Sequence, residues 1–287
     1  IAKRNFTVAI DCVNSVGGLA IPAILHALGV KNIIELNCTP NGQFPHNPEP
    51  LPQHLTEISN LLKSGKADVG FVVDPDVDRL AIICENGEMF GEEYTLVSVA
   101  DYVLRHTPGN TVSNMSSTRA LSDITKTYGG TYSASAVGEV NVVAEMKATH
   151  AVIGGEGNGG VIYPECHYGR DALVGIALFL SHLSHLHMRV SELRQTLPNY
   201  YISKNRIDLT PETDVDATLA KIKELYKGEK VNDRDGVKID FADGWVHLRK
   251  SNTEPIIRVY SESGTMEQAN VLAWKVMDAA FADIHNS

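Results

Sequence analysis

The sequence predicts two related α/β domains with mixed sheets flanked by helices, followed by a smaller α+β domain with an antiparallel sheet. Three observations carry this expectation. Strand-like and helix-like segments alternate through the first two-thirds of the 287 residues, as in layered α/β folds. The alternation comes in two rounds of similar length, parted near Pro108-Gly109, although no stretch of sequence repeats. After Pro198 it gives way to closely spaced strand-like runs. The expected domains are therefore 1–108, 109–197 and 198–287.

In the first round FTVAID (6–11) is a buried strand, and LAIPAILHALG (19–29) is a helix that Gly29 stops. NIIEL (32–36), LTEISNLLKSG (55–65) and DVGFVVD (68–74) continue as strand, helix and strand. EEYTLVSVADYVLRH (92–106) is helical. The second round runs through TVSNM (111–115), a helix over 119–128, TYSAS (131–135), a helix over 139–147 and HAVIGG (150–155). A helix from Asp171 to about His187 closes it. In the third part YYISKNRIDL, GVKIDF, GWVHLRK and IIRVYS are strands, with helices over 212–226 and 265–284. The last helix opens on Thr265-Met266-Glu267-Gln268, a capping-box pattern.

Composition narrows the function classes. With 43% hydrophobic and 21% charged residues, this is an ordinary globular chain. A net charge of −10 argues against general nucleic-acid binding, while local arginines can still bind an anionic small molecule. Cys12, Cys38, Cys84 and Cys166 lie far apart without metal-type pairing, which reads as reduced thiols in a cytoplasmic protein. No apolar run has the length of a membrane span; ALVGIALFL (172–180) is a core helix. IAKRNFTVAIDC enters a strand at once with no signal peptide, and a start so abrupt fits a fragment of a longer chain.

VGFVVDPDVDRL (69–80) crowds Asp74, Asp76 and Asp78 behind an apolar run, with Arg79 next to them. Carboxylates so close raise each other's pKa unless a positive charge sits between them. Oxygen ligands on a short loop suit Mg²⁺ or Ca²⁺. Alternate residues of a straight strand lie about 6.6 Å apart, so the loop must fold back, and Pro75 favours a turn. Three functional readings compete with a solvated acidic turn. An EF-hand fits as far as Glu85 at its twelfth position, but Arg79 replaces the required Gly and strands flank the loop. A haloacid-dehalogenase-type phosphatase shares the strand and Asp-x-Asp, yet Asp78 stands where Thr or Val belongs and no downstream acidic motif matches. The third reading is a magnesium site at the tip of a βα unit, where α/β ligands usually bind.

In GGEGNGG (154–160) the glycines let backbone approach a ligand, while Glu156 and Asn158 offer acceptors and donors. A carboxylate there suits paired sugar hydroxyls better than phosphate; a plain strand-to-strand turn is the competing reading. LRKSNTEPIIRVYSES (248–263) gathers Arg249, Ser251, Asn252, Thr253 and Arg258 between two strands, an inventory that suits a phosphate dianion. Its alternative is a polar hairpin with surface ion pairs. HLSHLH holds His182, His185 and His187 without an acidic partner at zinc-motif spacing, and reads as a packed helix.

Together and in this order, the loops resemble those of the α-D-phosphohexomutase superfamily, which includes phosphoglucomutases, phosphomannomutases and phosphoglucosamine mutases. That family's Asp-Gly-Asp-x-Asp-Arg loop matches Asp74, Asp76, Asp78 and Arg79, with Pro75 in place of Gly. The resemblance implies that the aspartates bind Mg²⁺ and that Arg79 acts beside a phosphoserine. The family's Gly-Glu-x-Ser sugar loop matches Gly155, Glu156 and Gly157, with Asn158 replacing Ser. Its Arg-x-Ser-x-Thr-Glu-Pro phosphate loop, followed by Arg, matches Arg249, Ser251, Thr253, Glu254, Pro255 and Arg258. The likeness runs from about Phe6 to the C-terminal helix and corresponds to the second to fourth of four domains.

The first domain's Thr-Ala-Ser-His-Asn-Pro has no counterpart, since Phe44-Pro45-His46-Asn47-Pro48 lacks the serine and is similar to a second-domain segment. The resemblance therefore implies the C-terminal part of a Mg²⁺-dependent enzyme that interconverts hexose 1-phosphate and hexose 6-phosphate. The phosphoserine would lie outside this chain, in an N-terminal domain that is its missing partner. Hexose 1,6-bisphosphate would be intermediate and activator, and the chain alone is expected to be inactive. A non-catalytic phosphosugar-binding protein and a Mg²⁺-dependent phosphatase are the alternatives.

Overall fold

The computed structural model describes residues 1–210, 213–251 and 253–285, which divide into two compact units. The first comprises Ile1–Ala134 and Gly138–Pro198; the second begins at Asn199 and includes Ser135–Val137.

The first unit opens with β1 (Thr7–Asp11), α1 (Gly17–Ala27), β2 (Asn32–Leu36), α2 (Thr56–Lys63), β3 (Val69–Val73) and β4 (Leu80–Cys84). The strands form a sheet in the order β2-β1-β3-β4, with β1 parallel to β2 and β3, and β4 antiparallel to β3. β3 is buried along its whole length, as its unbroken VGFVV run requires of a central strand. After α3 (Glu92–His106) the plan recurs in β5 (Asn110–Asn114), α4 (Ala120–Thr127), β6 (Tyr132–Ser135), α5 (Glu139–Thr149), β7 (Ala151–Glu156) and β8 (Gly160–Ile162). The second sheet has the order β6-β5-β7-β8, so the two rounds share a topology without sharing a sequence. Helices α6 (Ala172–Leu186) and α7 (Val190–Thr196) complete the unit.

The structure corrects one expectation. The aspartate cluster does not sit at the tip of a βα unit. It is the turn of an antiparallel hairpin, because LAIIC pairs back onto β3 with Val73 opposite Leu80. That run is buried at every position, so it is stabilised as a sheet strand.

Helix α3 packs against both sheets, touching β4 and β7, and is buried on nearly every side. Its buried hydroxyls are satisfied: Thr95 Oγ1 donates to Leu80 O at 3.0 Å, and Ser98 Oγ to Thr95 O at 2.9 Å. Near its end the buried Asp101 accepts from Tyr128 Oη at 2.6 Å and Arg105 Nε at 3.0 Å, and lies 3.0 Å from His182 Nε2. Burial pushes the Asp101 carboxyl up, but the nearby His182 and the hydrogen bonds of Tyr128 and Arg105 outweigh it and hold its pKa below the ordinary value. His182 is fully buried within this helix-to-helix network, as a packed helix requires.

The second unit is built from β9 (Tyr201–Asp208), α8 (Val215–Leu225), β10 (Lys230–Asn232), β11 (Val237–Asp240), β12 (Gly244–Lys250), β13 (Ile256–Ser263) and α9 (Met266–His285). Its sheet is antiparallel, in the order β10-β11-β12-β13-β9. Val246, Leu248, Ile257 and Val259 form a core with Leu219 and Ile222 of α8 and Val276 and Ala280 of α9. Alternation then puts Arg249, Arg258 and Arg206 on the opposite face. Gln268 N donates to Thr265 Oγ1 at 3.1 Å, half of the expected capping box. Among the described residues no single helix is long and apolar enough to cross a membrane.

Candidate functional site

Asp74 follows the last residue of β3 and is 5% exposed. Its Oδ1 accepts from Asp78 N at 3.1 Å and Arg79 N at 3.0 Å, folding the turn back on itself. Val77 closes the turn through its N–H to Asp74 O at 3.2 Å, with φ at +61°. A β-branched residue in the left-handed region is strained by roughly 1–3 kcal/mol, which the surrounding loop must hold in place. The result is a cluster in which Asp74, Asp76 and Asp78 each offer an oxygen within 4.8 Å of the others.

Asp74 is buried, Asp76 exposed and Asp78 intermediate. Burial pushes the Asp74 carboxyl up to about 7; the Arg79 N–H opposes this, while Asp78 and Asp76 reinforce it. Arg79 answers part of the charge, with Nε 3.4 Å from Asp74 Oδ2 and 3.9 Å from Asp78 Oδ1, and Nη1 3.8 Å from Glu49 Oε1. Asp78 Oδ1 is nevertheless buried without a hydrogen bond. An orphaned carboxylate oxygen beside two others, all hard oxygen donors, fits a small divalent cation such as Mg²⁺.

The segment 44–50 is tied to the same loop. His46 Nε2 and Asn37 Nδ2 both meet Oδ2 of the buried Asp11 at 3.1 Å. His46 thus pins the segment that brings Glu49 to Arg79.

Glu156 ends β7 and is 5% exposed. Its Oε1 accepts from Asn114 Nδ2 at 2.8 Å and Gly138 N at 3.1 Å, and its Oε2 from Arg170 Nη1 at 2.9 Å. A carboxylate has about four acceptor positions, so one on Oε2 stays open for a hydroxyl. Asn158 folds inward, its Oδ1 accepting from Gly160 N at 3.2 Å. Gly159 has φ +89°, and a Cβ there would lie 2.5 Å from Leu80 O. The two loops lock at this point, since Leu80 N donates to Gly159 O at 3.0 Å.

Arg170 was not legible as a site residue, yet it joins the two loops. Its Nη2 bonds Asp78 Oδ2, its Nη1 bonds Glu156, and its Nε lies 3.2 Å from Glu139 Oε2. Burial disfavours its charge, but Asp78 and Glu156 outweigh that and raise its pKa above the ordinary guanidinium value. The only sequence signal was its place before Asp171, which caps α6 by accepting from Leu173 N at 2.7 Å. Its partner Asp78 lies 92 residues away in sequence.

In the second unit the third loop is the β12–β13 hairpin. Ser251 N donates to Ile256 O at 3.0 Å, and Ser251 Oγ accepts from Thr253 N at 3.4 Å and Glu254 N at 3.3 Å. Arg258 faces Arg249 on one side and Arg206 on the other, directly across the ladder. Like charges in such register repel unless an anion joins them. Arg258 Nη2 meets Glu254 Oε2 at 2.7 Å, and Arg206 Nε is 3.3 Å from Asp208 Oδ1. Asn252, expected among these groups, lies outside the described residues.

Three family descriptions match the chain in succession: phosphoglucomutase/phosphomannomutase alpha/beta/alpha domain II over residues 1–87, domain III over 91–201, and the C-terminal domain over 209–279. A phosphoglucomutase/phosphomannomutase of Thermococcus kodakarensis is 38% identical over 273 residues, covering 94% of this chain and 59% of that protein. A phosphoglucomutase/phosphomannomutase family protein from Burkholderia thailandensis superposes with a TM-score of 0.84 at 27% identity, covering 96% of this chain and 60% of that one. N-acetylphosphoglucosamine mutase of Aspergillus fumigatus, solved with GlcNAc-6P and magnesium, shares the fold at a TM-score of 0.67 and 16% identity, covering 96% and 65%. The chain spans about three-fifths of the length of the curated relatives it matches.

Proposed function

This chain belongs to the phosphoglucomutase/phosphomannomutase family, and from that premise we propose that it is the C-terminal part of a phosphohexomutase that interconverts hexose 1-phosphate and hexose 6-phosphate. The observation that carries this reading is the aspartate cluster with its orphaned Asp78 oxygen, joined through Arg170 to the carboxylate on the glycine loop.

Asp74, Asp76 and Asp78 would hold Mg²⁺, which when bound supplies positive charge to the phosphoryl group in transit. Arg79 adds a second positive charge at the same loop and can donate to phosphoryl oxygens from nitrogens its aspartate contacts leave open. Glu156 is fixed by Asn114, Gly138 and Arg170, so its remaining acceptor position is pre-set for a sugar hydroxyl. Arg249, Ser251, Thr253 and Arg258 serve the phosphate that is not reacting, whose binding orients the distant reacting end. The phosphoryl carrier in this reading is a phosphoserine outside the chain. It gives its phosphoryl group to the free hydroxyl of the substrate, and the hexose 1,6-bisphosphate so formed returns its other phosphoryl group after reorienting. The magnesium named with the Aspergillus fumigatus enzyme supports the choice of metal.

A coupled assay with hexose 1-phosphates tests the reading. The chain alone, with Mg²⁺ and a bisphosphate primer, is expected to give no mutase turnover, because no covalent carrier is present. The parent protein, with its serine-bearing domain, is expected to turn over. Steady release of inorganic phosphate in place of isomerised sugar by the parent protein would overturn the mutase in favour of a phosphatase.

A further inference from the structure

Arg170 stands among more negative charge than it can neutralise. Asp78, Glu139 and Glu156 touch its three nitrogens, and the Asp74 and Asp76 carboxylates lie beside Asp78. Its side chain is 16% exposed, so water screens these contacts little. The loop it crosses is shaped for it: a Cβ at Gly160 would come within 2.4 Å of Arg170 Cδ. The guanidinium reaches Asp78 at Oδ2, while Oδ1 of the same carboxylate is the orphaned oxygen.

We propose that Arg170 is a positioning residue that holds the metal-loop carboxylate of Asp78 and the hydroxyl-binding carboxylate of Glu156 in one fixed register, and that its charge weakens the metal site it organises. The inference rests on the metal and sugar roles given above to the two loops. The reason is geometric. Asp78 lies in the turn of one sheet and Glu156 at the end of a strand of the other, and a planar guanidinium with donors at fixed angles sets their spacing in a way a flexible ammonium cannot. With Arg170 donating to Oδ2, the unpartnered Oδ1 of Asp78 is the oxygen that would be offered to a cation. The guanidinium would then stand one carboxylate away from a cation held by the aspartates, and like charges repel.

A purely structural role predicts the opposite effect on the metal. If Arg170 only braced the loop, its loss would disorder Asp78 and weaken Mg²⁺ binding. If it acts as proposed, its loss leaves the aspartates with less opposing charge, and Mg²⁺ binds more tightly while the sugar loop loses its anchor.

The test is calorimetric titration of the purified chain with Mg²⁺, and separately with glucose 1-phosphate, using wild type, Arg170→Met and Arg170→Lys. Arg170→Met is expected to bind Mg²⁺ roughly three- to tenfold more tightly, the effect of removing one nearby positive charge. Its affinity for glucose 1-phosphate is expected to fall. Arg170→Lys keeps the charge but loses the fork, so its Mg²⁺ affinity stays near wild type while its sugar-phosphate affinity falls. Arg170→Gln replaces the methionine variant should that one not fold. Mg²⁺ affinity unchanged or weakened in a folded Arg170→Met, or tightened equally in Arg170→Lys, overturns the proposal. Wild-type chain that takes up no Mg²⁺ refutes the metal reading itself, and is thereby distinguished from a failure of Arg170 alone.

Discussion

The turn that carries Asp74, Asp76 and Asp78 and the turn that carries Glu156 and Asn158 stand at the same point of two sheets with the same strand order, between the third strand and the fourth. They differ in what makes them rigid. The first is held by its own charge, with Asp74 taking two backbone N–H groups and Val77 forced to φ +61°. The second is held by the absence of side chains, with Gly159 against Leu80 and Gly160 under Arg170. One topology therefore supplies two differently built positions, and the residues placed there decide whether each is suited to a cation or to hydroxyls.

The largest expected effect breaks that comparison where the two turns meet. Gly159→Ala puts a Cβ 2.5 Å from Leu80 O at a φ of +89°, so both the glycine turn and the start of β4 must shift. Strain and lost hydrogen bonding together are expected to destabilise the first unit by roughly 3 kcal/mol or more. Scanning calorimetry should show its transition roughly 10 °C lower. A transition within about 2 °C of wild type would mean that the turns are not interlocked.

The third hairpin extends the comparison, because its strand β12 buries a histidine, His247. Burial, reinforced by the Lys238 charge, lowers the His247 pKa to about 4 against the pull of its 2.6 Å contact with Asp235 O. The unfolded chain binds this proton near pH 6.5 and the folded chain only near 4. Stability of the second unit is therefore full above the unfolded value and lost as pH falls from about 6.5 towards 4, by on the order of 3 kcal/mol. Denaturant midpoints of the second unit at pH 7 and pH 4.5 check this, with His247→Gln expected to flatten the slope. An equal slope in that variant would assign the acid loss elsewhere.

A smaller effect is expected at the arginine row. Arg258→Ala should weaken glucose 1-phosphate and glucose 6-phosphate binding alike, by about 1.5–3 kcal/mol, the contribution of a charged hydrogen bond. Titration with each isomer compares the two losses. A loss confined to one isomer would mean that this hairpin does not serve both orientations.

The fold class was legible because alternation is a local signal, and VGFVV, LTEISNLLK and GWVHLRK each carry their period within a few residues. The hairpins at the candidate turns are harder to read. LAIIC follows a charged loop, and GVI is three residues long, so neither shows a period of its own. That is why the sequence alone reads the aspartate turn as the tip of a βα unit. The aspartates, Glu156 and the phosphate-loop arginines stood out because unusual residues fall close together in sequence. Arg170 stood alone, and its role comes from Asp78 and Glu156, which only the folded sheets bring to it.

Mg²⁺ titration of wild type and Asp76→Asn tests most directly whether the first turn is a metal site. Asp76 is exposed, so its replacement should leave the thermal midpoint unchanged. Removing one of three anionic ligands should weaken the site at least roughly tenfold. One Mg²⁺ bound by wild type and lost or much weakened in Asp76→Asn is the predicted result. Equal affinity in the two proteins would contradict the assignment of the aspartate turn to a metal.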